Sequence, residues 1–324
     1  MTGDTSQLNI TEFKRKLRHL EREIGKILNC VLEKLAFKVK KDCYLAPALD
    51  EETVKIPWEL ALIRKSLTER RKSSILCDIA CIGRLRVVKA DSWKNVLPKK
   101  SKSKRALVVG VDYKDLPKRQ QRRRRHLTPL KYAEKEAEIV TDTLERNDIA
   151  VKLLLGKKAT FNSVIKELKR GVDIFHFTGH GSTSRNKSKI YLYDKYLSAE
   201  NLEKILARST APSLSFFNAC ETSVDAYRKG KVSWAPYNWA FALASEGGSV
   251  FIGTLWSVFE KEALRFAEIF YRKFLGVDRN TVSDAMRQAR NKIKRSSDAI
   301  LSWLAYVLYG PPTLKTDDLF VYRG

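Results

Sequence analysis

Two residues of this sequence are of types that, brought side by side, perform acyl transfer. His180 stands between Gly179 and Gly181 in 172-VDIFHFTGHGS-182, and Cys220 follows the apolar stretch of 213-SLSFFNACET-222. An imidazole beside a thiol lowers the effective thiol pKa and returns a proton to a departing amine. The flanking glycines leave the backbone free to take positive φ and to approach a ligand closely, which predicts a mobile, exposed imidazole. Taken singly, Cys220 reads as a small core residue and His180 as a loop residue. Catalysis is favoured because both sit at the exits of strands in adjacent strand and helix units.

Those strands belong to a repeating alternation. A buried strand over 106–113 leads through an arginine-rich loop to a helix over 129–147. A strand over 149–156, a helix over 160–171 and the strand over 172–179 follow. The next helix, 198–208, starts with Ser198 as N-cap and Glu200 in the first turn, where negative charge suits the helix dipole. Asn201 occupies the position where a capping box needs an acid or glutamine. The strand over 213–220, a helix over 238–247, a strand over 248–258 and helices over 260–276 and 281–296 complete the series. Strands separated by helices imply a mostly parallel α/β sheet covered on both faces, with functional groups at the carboxyl ends of its strands.

Upstream, Phe13, Leu17, Leu20, Ile24, Ile27, Val31 and Leu35 recur at three- and four-residue steps. They predict an amphipathic helix from Thr11 to about Lys41 that packs within the chain. After it come 53-TVKIPWELALI-63 and a strand-like 74-SILCDIACIGRLRVV-88, and the polar 98–104 reads as a linker. The expected organisation is a helical and β-containing N-terminal region over 1–98 and an α/β unit over 105–324.

The chain has 324 residues and 44% hydrophobic content, enough for a substantial core. Its 62 lysines and arginines outnumber 37 acidic residues, for a formal charge of +25. Such a field attracts nucleic acid, acidic protein or anionic membrane surfaces alike, or serves solubility alone. Only 118-KRQQRRRRH-126 is dense enough for a dedicated contact. Five cysteines, an odd number without paired CxxC spacing, suit reduced thiols and offer no metal site. With no signal peptide and no run of about 20 apolar residues, the expectation is a soluble cytoplasmic protein.

Four segments in order carry a more specific likeness: 175-FHFTGHG-181, 217-FNACET-222, 250-VFIGTLWSV-258 and 283-SDAMRQAR-290, preceded by 56-IPWEL-60. They match H-x-x-G-H-G, N-A-C-x-T/S, V-I-G-T-x-W-x-V, A-x-x-x-A-R and P-W-E-L. From about Arg105 to Pro312 the chain resembles a CHAT domain, a caspase-like peptidase family related to separase. The P-W-E-L stretch would make the N-terminal region part of the same module.

The resemblance implies a caspase-like fold in which Cys220 attacks the scissile carbonyl and His180 protonates the leaving amine. The amides of Gly181 and Cys220 would stabilise the oxyanion, with no cofactor, no metal and no obligatory third residue. Trp256, Ser257 and Val258 would line the substrate cleft, core packing being the alternative for Trp256. Glu260 stands where relatives often carry aspartate. Asp112 and Asp115 fall where some relatives recognise arginine or lysine, although the adjoining basic loop suits acidic sequences equally. The polar 223–237 would be a mobile loop ordered by partner or substrate. The implied function is a cysteine endopeptidase of narrow specificity, activated by a partner protein in a prokaryotic defence or cell-death pathway. A silent scaffold subunit of a nucleic-acid-associated effector complex and a thiol hydrolase or transferase of small molecules remain as alternatives.

Overall fold

The computed structural model describes residues 5–34, 39–49, 53, 56–64, 73–86, 100–101, 103–116, 127–184, 187–219, 235–245, 250–295 and 302–320. The N-terminal region comprises helix α1 (Thr5–Lys34), strands β1 (Cys43–Leu45), β2 (Ala48–Leu49), β3 (Leu62–Arg64) and β4 (Ser73–Ile75), a helical turn α2 (Leu76–Ile79), and strands β5 (Ala80–Ile82) and β6 (Leu85–Arg86). Next come β7 (Arg105–Gly110), α3 (Ala133–Glu145), β8 (Ala150–Leu155), α4 (Phe161–Lys169) and β9 (Ile174–Thr178). Strands β10 (Gly181–Ser184), β11 (Lys187–Tyr191) and β12 (Tyr196–Ser198) precede α5 (Ala199–Leu206) and β13 (Leu214–Asn218). The chain continues through α6 (Ala235–Ser245), β14 (Val250–Thr254), α7 (Glu260–Leu275), α8 (Val282–Lys294), the turn α9 (Ser302–Ala305), β15 (Tyr306–Tyr309) and the turn α10 (Thr316–Leu319).

The alternation produces one central sheet of order β15-β14-β13-β9-β7-β8, parallel except for β15 at one edge. Every residue of β9, β13 and β14 is buried, as parallel strands with helices on both faces require. Their side chains alternate between two layers. His176 and Phe216 meet Tyr271 of α7, and Phe216 also meets Phe266 and Phe270. Phe175 and Phe177 turn the other way onto Phe217, which packs against Trp239 of α6.

The strand-like 74–88 is broken into β4, α2, β5 and β6. An unbroken apolar run does not distinguish a strand from a buried helical turn, and here Leu76 and Cys77 are buried on a turn. The antiparallel sheet β10-β11-β12 immediately after His180 has no clear signal in its sequences GSTS and KSKIY, which lack apolar alternation.

A buried ion pair within the N-terminal region fixes the arginine that docks this region on the sheet. Arg84 Nε and Nη2 donate to Glu59 Oε1 and Oε2 at 2.8 and 2.5 Å, both side chains about 1% exposed, and Nη1 reaches the Tyr309 hydroxyl at 3.3 Å. Burial alone would lower the guanidinium pKa, but the Glu59 carboxylate and Tyr309 outweigh it and raise it. The Arg84 amide donates to Leu308 O and its carbonyl accepts from Gly310 N, extending the β15 edge by one bridge. Glu59 is the acid of P-W-E-L, so that stretch supplies the counter-charge. On α8, Ala285 and Ala289 are buried, and Arg290 Nη2 donates to Tyr306 O at 2.6 Å.

Removing one member of a buried pair leaves the other as an uncompensated charge. Arg84→Met is therefore expected to cost about 3–5 kcal/mol, and Glu59→Leu combined with Arg84→Met to recover most of it. Urea midpoints of the three proteins check this; a wild-type midpoint for Arg84→Met would refute the docking role.

Candidate active site

Strands β9 and β13 pair with Thr178 opposite Asn218. Gly179 continues the pairing, its amide donating to Asn218 O at 3.1 Å. A Cβ on Gly181 would lie 2.7 Å from Ala219 O, and one on Gly179 would lie 2.8 Å from both the Phe177 ring and the Tyr113 hydroxyl. Neither glycine has positive φ. These positions thus need glycine because neighbouring chain leaves no room for a side chain.

The expected mobile, exposed imidazole is instead buried, His180 being 5% exposed. Its backbone N–H donates to the Tyr113 hydroxyl at 2.8 Å, and its carbonyl accepts from Tyr191 N at 2.9 Å. The ring stacks on Tyr113 with centroids 4.7 Å apart, and Nε2 lies 2.7 Å from Thr128 O. A carbonyl can only accept, so Nε2 carries the proton and Nδ1 holds the lone pair of the neutral ring. Tyr113 in turn donates to Tyr191 O at 2.5 Å. Its φ of 59° is a left-handed conformation that a bulky residue keeps only when its surroundings hold it.

Beside His180 opens a cleft of about 280 Å³. The carboxyl ends of β9 and β13 form one wall, and Ser257, Val258, Phe259 and Glu260 form another, with Glu136 of α3 also facing in. The acidic groups that line it are the carboxyls of Glu136 and Glu260, and among the described residues no lysine or arginine lines it. Glu260 Oε2 accepts from the Tyr132 amide at 2.9 Å. Phe259 is 54% exposed at this edge.

The structure brings His180, Ser257, Val258 and Glu260 together, with Gly181 on the chain next to Ala219. Trp256 is 4% exposed within the core. Asp112 and Asp115 are not among the cleft's lining residues; they pair with Lys114 at 2.9 Å and Lys157 at 3.4 Å. Cys220 lies outside the described residues, as do the arginine-rich 118–126 and the part of 223–237 before α6. Among the described residues no acidic, histidine and cysteine cluster suits a metal ion, and no helix is long and apolar enough to cross a membrane.

Four groups at this site were not singled out from sequence. Thr128 contributes a backbone carbonyl, which no side-chain pattern marks, and the roles of Tyr113 and Asn218 depend on tertiary contacts. Glu136 did leave a signal: a carboxylate within the buried stripe Ala133, Ala137, Val140 and Leu144 of α3.

The model for the CHAT domain matches residues 24–311, across the linker at 98–104. No curated protein matches the chain. Among solved structures, the Arg-specific cysteine proteinase gingipain R of Porphyromonas gingivalis is 12% identical, with a TM-score of 0.57 over 90% of this chain and 67% of that one. The Saccharomyces cerevisiae separase–securin complex gives 16% identity and a TM-score of 0.47, covering 82% of this chain but only 15% of that one. The Drosophila initiator caspase Dronc gives 13% and 0.42, over 70% and 87%. With four motifs in order on a sheet of this topology, this chain belongs to the CHAT domain family and has the caspase-like α/β fold of cysteine peptidases.

Proposed function

We propose that the chain is a cysteine endopeptidase in which Cys220 is the nucleophile and His180 the acid/base. The geometry of His180 carries this reading: a buried, clamped imidazole, protonated at Nε2 by its bond to Thr128 O, at the carboxyl end of β9. His180 and Cys220 each lie two residues beyond the paired Thr178 and Asn218. The other thiols support it by elimination. Burial pushes Cys77 up to about 12, burial with Asp284 pushes Cys81 up to about 11, and burial raises Cys43. Such thiols stay protonated at neutral pH and are poor nucleophiles. Cys30 sits on α1, away from the cleft lining.

In this mechanism His180 Nδ1 takes the thiol proton and the Cys220 sulfur bonds to the scissile carbonyl carbon. The amides of Gly181 and Cys220 hold the oxyanion. The C–N bond breaks as Nδ1 returns the proton to the amine, and water then cleaves the thioester. Ser257 and Val258 contact the substrate, and Trp256 supports their loop from beneath. The negative cleft favours a basic residue before the scissile bond, with Glu260 as one contact; gingipain R, Arg-specific by name, has a related fold. Asp112 and Asp115, paired with lysines, are left to substrate residues outside the cleft. The polar stretch after Cys220 suits activation by a partner protein, and the family likeness suits a prokaryotic defence or cell-death pathway. Free Cys30, Cys43, Cys77 and Cys81 fit the reducing cytoplasm.

A peptide library, offered with and without cell extract as a source of activator, tests the reading. Cleavage after arginine or lysine is expected, falling at least about 1,000-fold in Cys220→Ala and His180→Ala. Cleavage that persists in Cys220→Ala, or none by the wild type under either condition, would defeat it. Tyr113→Phe strips the hydroxyl that meets His180 N and Tyr191 O, leaving buried groups unpaired at about 1–3 kcal/mol. Its kcat is expected to drop about tenfold with KM little changed; a wild-type kcat would remove Tyr113 from the positioning of His180.

A further inference from the structure

Glu136 is 2% exposed, yet it lines the cleft. Two donors converge on one of its oxygens: His176 Nε2 lies 3.1 Å and Asn218 Nδ2 2.6 Å from Oε1. Each donor has its own anchor. The Tyr271 hydroxyl lies 3.3 Å from His176 Nδ1, where it can donate, which leaves Nε2–H for Glu136. The Tyr306 hydroxyl donates to Asn218 Oδ1 at 3.0 Å, and Asn218 Nδ2 also reaches Ala263 O at 3.3 Å. Glu136 Oε2 makes no hydrogen bond among the described residues, yet it is not one of the sealed, unpartnered polar atoms. With Oε1 held by both donors, Oε2 is the oxygen left for the cleft that Glu136 lines, and among the described residues no lysine or arginine lines that cleft.

We propose that Glu136 is the specificity-determining carboxylate at the floor of this cleft, reading the positive charge of a substrate arginine or lysine. His176 and Asn218 are positioning residues that hold Oε1 and so aim Oε2. The inference rests on the peptidase reading above and adds to it the group that senses charge. Asn218 belongs to β13, two residues before Cys220, so the pocket floor and the strand of the nucleophile share one residue.

Matched peptides with arginine or its neutral isostere citrulline before the scissile bond test it. Glu136→Gln is expected to lower kcat/KM for the arginine peptide about tenfold or more, and to leave the citrulline peptide nearly unchanged. His176→Phe should reduce the arginine-to-citrulline ratio, and His176→Gln, which keeps a donor, should restore it. A merely structural role would lower both peptides together and leave the ratio intact, which overturns the proposal. Binding of the two peptides to Cys220→Ala protein, with and without Glu136→Gln, read by fluorescence anisotropy, separates it from catalysis. Arginine preference that needs Glu136 without cleavage by the wild type sustains the pocket and sinks the peptidase. Cleavage with a ratio indifferent to Glu136 and His176 does the reverse, and binding without arginine preference ends the proposal. If Glu136→Gln melts below assay temperature, the His176→Phe and His176→Gln ratios decide.

Discussion

The in-register pairing of β9 with β13 sets everything at this site. With Thr178 opposite Asn218, His176 and Asn218 project to the same face and both reach Glu136. A slip of one residue in either strand would turn its side chains to the other face. One of the two donors would then enter the phenylalanine layer around Phe175, Phe177 and Phe217, and the carboxylate would lose it. The same pairing, continued by the Gly179 amide onto Asn218 O, brings the chain around His180 against Ala219. Polar groups inside a sheet otherwise this apolar therefore act as register marks as well as chemistry.

Burying a carboxylate is costly unless its hydrogen bonds are supplied, and the chain meets that cost in two ways. Glu59 receives a guanidinium, which neutralises it and leaves it inert within the docking of the N-terminal region. Glu136 receives hydrogen bonds from an imidazole and an amide, with no lysine or arginine at the cleft among the described residues. A carboxylate satisfied by its counter-charge serves structure, whereas one held by side-chain donors on one oxygen keeps its field for the cleft. This contrast separates two acids of similar burial whose surroundings suit different tasks.

The order of strands and helices was legible because the periodicity of each apolar run is local. Ser198 is an N-cap as its sequence position suggests, accepting from Asn201 N at 3.1 Å, and helix α7 starts within the expected 260–276. Features that depend on partners distant in sequence were not legible. Antiparallel β15 lies beyond the expected series, which ended with the helix over 281–296, and β10 to β12 carry too little apolar alternation to signal themselves. His180 and the cleft loop 257–260 could be marked by motif, but the ring's acceptor is the backbone of Thr128, fifty-two positions away. The glycines were read for conformational freedom; their actual constraint, close approach of Ala219 and Tyr113, exists only in the folded chain.

A mobile imidazole would have to be immobilised each time it acted, at a cost in side-chain entropy and misdirected rotamers. Here folding meets that cost in advance: Tyr113 is held at positive φ, stacks on the ring, and links the exit of β7 to β9 and β11 through one hydroxyl. The ring itself is oriented by the Thr128 carbonyl, and its backbone by Tyr191 N. Main-chain groups supply much of this clamp, so the side chain at 128 can vary as long as the path of the chain is kept. What constrains that segment is its anchorage, in which Leu130 N donates to Asp112 O at 2.8 Å and Leu127 is buried. Asp112, an acid that sequence suggested for substrate, thus also serves the site through its backbone, by fixing the loop that orients His180.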